Sequence, residues 1–184
     1  MALTSSSALE LGGPAPSFRL PDPDGRVVAL EDFADSPALL VVFWCNHCPY
    51  VRHIKRAFAD FAREYQPRGL AVVAINSNDA DAYPQDAPER MKDDVRQYGY
   101  TFDYLVDASQ EVARAYDAAC TPDFYLYDNG RSLAYHGQFD AARPRNAVPV
   151  TGEHLRAAAD AVLSGRPVTG EQTASIGCNI KWRS

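Results

Sequence analysis

Two runs of uninterrupted apolar residues stand out along the chain, at 39–44 (Leu-Leu-Val-Val-Phe-Trp) and 70–75 (Leu-Ala-Val-Val-Ala-Ile). Apolarity without alternation suits central strands that are covered on both faces. Between them Val51, Ile54, Phe58, Phe61 and Tyr65 recur at three- and four-residue spacing, with Arg52, Lys55, Arg56, Asp60 and Glu64 mostly outside that stripe. That is one face of an amphipathic helix, which Pro67-Arg68-Gly69 should stop. Strand, helix and strand in this order predict a parallel crossover.

Upstream, Pro23-Asp24-Gly25-Arg26 reads as a hairpin turn leading into a strand at 27–30. Downstream, Asp86 with Glu89 predicts a helix start, with Met91, Val95 and Tyr98 as its buried stripe and a strand at 102–106 after it. A helix is expected from 108 to about 117. A hairpin follows around Asp128-Asn129-Gly130-Arg131, and a last helix begins at Thr151. The succession predicts one three-layer α/β domain over residues 13–165. A flexible N-terminus is expected at 1–12, and a C-terminal tail at 166–184 that packs on the domain through Ile176, Ile180 and Trp182.

Composition narrows the function classes. At 184 residues, 46% hydrophobic and 23% charged, the chain is globular and long enough for a single core. A net charge of −6 argues against nucleic acid or an anionic membrane surface as partner. The N-terminus lacks the charged and apolar regions of a secretory signal, and no apolar run is long enough to cross a bilayer. Both favour a cytoplasmic protein. There a close cysteine pair is expected to be catalytic or metal-binding.

Two of the four cysteines form Cys45-Asn46-His47-Cys48, at the junction of the first apolar strand and its helix. The helix start offers unpaired amides and the positive end of the dipole, which favour a thiolate. His47, if protonated, would add to this. Cys45, at the exposed helix entrance, is the expected nucleophile with a lowered pKa, and Cys48 the resolving thiol. Cys120 and Cys178 are isolated and do not form a second metal-type pair, so no metal is assigned. Both are candidate auxiliary thiols. Cys178 would meet Cys120 or Cys45 if the tail docks at the active-site end, and is plain packing if it docks elsewhere. The acidic segment 79–94 reads as loop and solvated helix face, and Arg143 and Arg145 are placed at the border of a substrate groove.

Phe43-Trp44-Cys45-Asn46-His47-Cys48-Pro49, Thr121-Pro122 and the closing hairpin and helix resemble the thioredoxin fold. The opening Gly13-Pro14-Ala15-Pro16-Ser17-Phe18, the strand at 27–30 and the inserted αβ unit at 86–106 are similar to the redoxin branch. That branch includes the alkyl-hydroperoxide-reductase/thiol-specific-antioxidant family. Asn46-His47-Cys48-Pro49-Tyr50-Val51, Ala119-Cys120-Thr121-Pro122-Asp123-Phe124 and Gly177-Cys178-Asn179-Ile180-Lys181-Trp182 resemble a bacterial thioredoxin-like subfamily with a Cys-Asn-His-Cys-Pro motif.

The resemblance implies a three-layer thioredoxin-like fold with an N-terminal β-hairpin, and a cis peptide at Thr121-Pro122. It also places Trp44, Thr121 and Pro122 where substrate backbone binds. Leu39 occupies the position of the buried aspartate that serves the resolving thiol in thioredoxin, so that proton acceptor is unassigned. The implied function is a thiol–disulfide oxidoreductase without a cofactor. It would act on protein or low-molecular-weight disulfides and be renewed by an external thiol or reductase. A thiol peroxidase is an alternative, but Pro-x-x-x-Thr-x-x-Cys fits neither register: Cys48 puts Val41 and Cys45 at its proline and threonine sites, and Cys45 puts Ala38 and Val42 there. A redox-sensing or binding module without turnover is the third reading.

Overall fold

The structure is a computed structural model that describes residues 3–183. Its elements in chain order are β1 (Leu3–Ser5), β2 (Arg19–Pro21), β3 (Val27–Ala29), β4 (Ala38–Phe43), α1 (Pro49–Tyr65), β5 (Leu70–Asn76) and α2 (Pro88–Tyr98). There follow β6 (Asp103–Val106), α3 (Glu111–Ala115), β7 (Cys120–Thr121), β8 (Asp123–Tyr127), β9 (Leu133–Gly137), α4 (Glu153–Leu163) and β10 (Ile176–Asn179).

The central sheet has the order β6-β5-β4-β8-β9. β4, β5 and β6 run parallel, while β8 and β9 are antiparallel additions on the other side of β4. Every residue of β4 is buried, as its uninterrupted apolarity requires. Successive side chains point to opposite faces, so the strand divides the core in two. Leu40, Val42 and Trp44 meet α1, α2 and α4, and Leu39, Val41 and Phe43 meet α3 and the β2–β3 hairpin. Phe58 of α1 centres the first half, against Trp44, Phe61, Phe102, Phe124 and Phe139. Helices thus flank a mixed sheet in the three-layer thioredoxin arrangement that the resemblance implies.

α1 starts at Cys48, its N-cap residue, with Pro49 in the first turn where a missing amide hydrogen costs little. Past its last turn, Gly69 takes φ 104°, a left-handed conformation that returns the chain into β5. Three local expectations are corrected. Asp86 does not cap α2, because that position belongs to Ala87 and the Asp86 carboxylate turns inward. Lys55 is buried although its charge predicts an outward position. The N-terminus expected to be flexible contributes β1, which pairs with β10 through Leu3↔Cys178, Thr4↔Gly177 and Ser5↔Ile176.

β10 is the element that matters most for the site. The C-terminal tail returns as the middle strand of a second sheet, β1-β10-β7, with Cys178 opposite Thr121 and Asn179 opposite Cys120. Among the described residues no helix is long and apolar enough to cross a membrane.

Candidate active site

The strand-to-helix junction puts Cys45 just past β4 and Cys48 at the start of α1, and the Thr121-Pro122 segment lies across from both. The Thr121-Pro122 peptide is cis, as the resemblance implies. Cys45 Sγ is 3.2 Å from Thr121 Oγ1, and Cys48 Sγ is 3.3 Å from the Thr121 carbonyl oxygen. A third sulfur completes the cluster. Cys178 Sγ stands 2.8 Å from Cys48 Sγ.

All four cysteines are free thiols and all are buried. Hydrogen bonds from the Cys178 and Cys45 thiols, and from the amides of Val51 and Cys178, hold Cys48 far below the usual thiol range and outweigh its burial. The two donors respond in the opposite sense. Burial, the bond to Cys48 and the nearby Asp86 charge keep Cys45 protonated. The bond to Cys48, then burial, do the same for Cys178. The surrounding thiols and amides thus favour a thiolate at Cys48, while the Thr121 carbonyl oxygen beside it accepts a hydrogen bond only from the thiol form.

The loop between the two motif cysteines is tied to a polar cradle. Asp86 accepts the Asn46 amide on Oδ1 at 2.7 Å, while Oδ2 takes His47 Nδ1 at 2.6 Å and Asn78 Nδ2 at 2.7 Å. Burial opposes ionisation of Asp86, but these donors hold its pKa below the usual carboxylate value. The Asn46 side chain receives Tyr104 OH on Oδ1 and donates to the Gln85 carbonyl. Beneath the loop, Lys55 Nζ donates to the Asn46 carbonyl at 2.9 Å and pairs with Asp94. Cys45, His47 and Asp86 also present a sulfur, a nitrogen and an oxygen within 4.8 Å of one another, a donor set that could hold a metal ion only by giving up these bonds.

Residues 11–136 match the AhpC/TSA family, which is well over half of the chain. The chain belongs to the AhpC/TSA family. Over nearly its whole length this AhpC/TSA protein is similar to the crystal structure of a hypothetical protein from Sinorhizobium meliloti 1021 (58% identity, TM-score 0.97, covering 98% of this chain and 99% of that one). It is equally similar in shape to an uncharacterized conserved protein from Geobacillus kaustophilus (52% identity, TM-score 0.97, covering 100% and 97%). Both matches extend past the family region into the tail that carries Cys178. The thiol-disulfide oxidoreductase ResA of Bacillus thuringiensis subsp. konkukian is 24% identical over 131 residues, 68% of each chain.

A secreted disulfide oxidoreductase of Mycobacterium tuberculosis shares the fold at TM-score 0.60 and 15% identity, covering 78% of this chain and 95% of that one. The expected cytoplasmic placement is overturned by such relatives. The same fold serves a secreted protein, so the fold does not carry that compartment with it.

The remaining expected site residues of the AhpC/TSA chain fall into place unevenly. Cys45 is not at an exposed entrance: it has no accessible surface, because Thr121 closes over it. His47, expected to modulate Cys45, is tied to other groups. Its Nδ1 is spent on Asp86 and its ring stacks on Tyr83 with centroids 5.6 Å apart. Trp44, expected at the substrate backbone, is fully buried, packs on Phe58 and donates Nε1 to Tyr100 OH. Thr121 has its strand position already filled by Cys178 of β10.

Cys120 stays out of the cluster. It sits opposite Asn179, and neighbours on a strand point to opposite faces, so it turns away from Cys178. Burial pushes its thiol far above the usual range. Cys178 thus meets Cys48, not either of the partners expected for it. Arg143 lines a small cleft with Tyr50, Pro122 and Ser175, and Arg145, expected beside it, does not.

Asp86, Asn78, Tyr104 and the Lys55–Asp94 pair escape the sequence reading. Lys55 leaves one trace: it lies four residues after Val51 and three before Phe58, on the apolar stripe itself.

Proposed function

We propose that this AhpC/TSA protein is a thiol–disulfide oxidoreductase whose working pair is Cys45 and Cys48. One observation carries the reading: a Cys-x-x-Cys across the strand–helix junction, both sulfurs within 3.3 Å of Thr121 in the cis Thr121-Pro122 segment. The ResA relative, a thiol-disulfide oxidoreductase, supports it. The roles are the reverse of those expected from the motif order. The Cys48 thiolate attacks one sulfur of a substrate disulfide, forming a mixed disulfide and releasing half of the substrate as a thiolate. Cys45 then gives up its proton and attacks Cys48 Sγ. The Cys45–Cys48 bond forms, the second half of the substrate leaves, and two electrons have passed to it.

Both sulfurs are covered, so substrate reaches them as β10 lifts. The substrate is a protein or small-molecule disulfide, and an external thiol or reductase restores the dithiol. Nothing in these steps calls on a bound cofactor.

Turnover of a disulfide substrate with a thiol donor is the direct test. Cys48→Ser should abolish it, and the double variant Cys45→Ser/Cys178→Ser should hold the substrate as a stable adduct on Cys48. A Cys48→Ser protein that still turns over, or that captures the substrate on Cys45, refutes the assignment.

A further inference from the structure

Resolution of a mixed disulfide on Cys48 needs a thiol within reach of its sulfur. The geometry provides a second one besides Cys45. We infer that Cys178, delivered by the C-terminal strand, is a third redox-active cysteine that resolves Cys48 and forms an internal Cys48–Cys178 disulfide. This rests on the reading of Cys48 as the attacking sulfur.

Three independent features place Cys178 there. Its sulfur stands 2.8 Å from Cys48 Sγ, whereas a disulfide bond is about 2.0 Å long, so closure needs only a small movement. The strand that carries it is paired on both edges, with Leu3 on one side and Thr121 on the other, which fixes its register and hence the face its side chain takes. The preceding residue is glycine where no other residue fits: a Cβ on Gly177 would lie 1.9 Å from the Thr121 carbonyl oxygen. Only glycine lets the strand lie against the Thr121-Pro122 segment closely enough to bring the next side chain to the cluster.

The step balances without a further reagent. With half of a substrate disulfide on Cys48, the Cys178 thiol gives up its proton and attacks Cys48 Sγ. The Cys48–Cys178 bond forms, the bond from Cys48 to substrate breaks, and the departing thiolate takes the proton. Cys45 can then attack Cys48 in the same way, moving the disulfide to Cys45–Cys48 and releasing Cys178 as a thiol. That exchange is redox-neutral. It gives the oxidised protein two forms, one with the tail bonded across the site and one with the tail free to lift.

Oxidised glutathione is the probe. Cys45→Ser, treated with it and digested under non-reducing conditions, should yield Cys48–Cys178 cross-linked peptides, leaving Cys120 as the one thiol that titrates. Cys45→Ser/Cys178→Ser should stop at a glutathione adduct on Cys48. The inference is overturned if Cys45→Ser also stops at that adduct, an outcome that would leave the proposed activity standing. No adduct on Cys48 in any variant would instead sink the proposed activity. Wild-type protein under limiting oxidised glutathione guards against misfolding of the variants. Cys48–Cys178 peptides there, at early quench times, support the inference, and a glutathione adduct on Cys48 that passes to Cys45–Cys48 with no Cys48–Cys178 peptide at any time counts against it.

Discussion

Gly177→Ala tests how the tail holds the site. The new methyl group would lie 1.9 Å from the Thr121 oxygen and 2.6 Å from the Thr121 carbonyl carbon, whereas real Cβ atoms essentially never come within 3.0 Å. The strand must therefore retreat by about 1.1 Å or more, the difference between the contact a side chain tolerates and the one it finds. A hydrogen bond of ordinary length near 2.9 Å is broken by such a shift. The bonds at risk are those of the Cys178↔Thr121 and Asn179↔Cys120 register and the Ile180 amide to the Ala119 carbonyl.

Two or three such bonds at about 1 kcal/mol each give a loss of roughly 2–3 kcal/mol. That is roughly 4–12 °C in melting temperature for a domain of this size. The same retreat draws Cys178 from Cys48 and opens the cover over the cluster. A thermal melt together with the rate of labelling by a thiol-reactive disulfide reads both effects. Melting should fall and labelling of Cys48 and Cys178 should quicken. Gly13→Ala is the control, since its Cβ would meet only the Glu10 oxygen at 3.6 Å. A Gly177→Ala protein that melts and labels like wild type would refute the description of β10 as a strand pressed against Thr121.

Three further outcomes follow from the site. Thiolate absorbance in the ultraviolet should persist at about pH 6, well below the ordinary thiol value of roughly 8.5, and vanish as pH falls through the depressed value of Cys48. Cys48→Ser should remove it, while Cys120→Ser should leave it unchanged. Asp86 has a folded-state pKa below its unfolded value of about 3.9, so its contribution to stability is complete above that pH and is lost as pH falls through the folded value. The stability gap between wild type and Asp86→Asn should accordingly be widest near neutrality and narrow in acid, as pH-dependent denaturation will read. Lys55→Met strands the Asn46 carbonyl and the Asp94 carboxylate; because Asp94 is partly solvated, a loss of about 2–4 kcal/mol in urea denaturation is expected, below the full range for breaking a buried pair.

The parts of this protein that a sequence determines alone are those governed by near neighbours. Val51, Ile54, Phe58, Phe61 and Tyr65 mark the buried side of α1, and the apolar runs mark β4 and β5. Cys45 and Cys48 mark the junction because the strand ends just before the first and the helix begins just after the second. Periodicity and turn chemistry act over a few residues, so these features survive without knowledge of the rest.

What lies around the two cysteines comes from segments far along the chain. Asp86 reaches the loop between them across 40 positions, and Cys178 reaches Cys48 across 130. Asp86 stands in a polar stretch that reads equally well as a helix cap, and Lys55 carries a charge that reads as solvent-facing. Only packing shows that each is buried against a partner. Local order put Cys45 first, as the exposed nucleophile. The fold buries both sulfurs, sets Thr121 over Cys45 and gathers amide and thiol donors around Cys48. A thiol's charge state depends on which donors surround it in space, and those donors are assembled only when the tail folds back between β1 and β7.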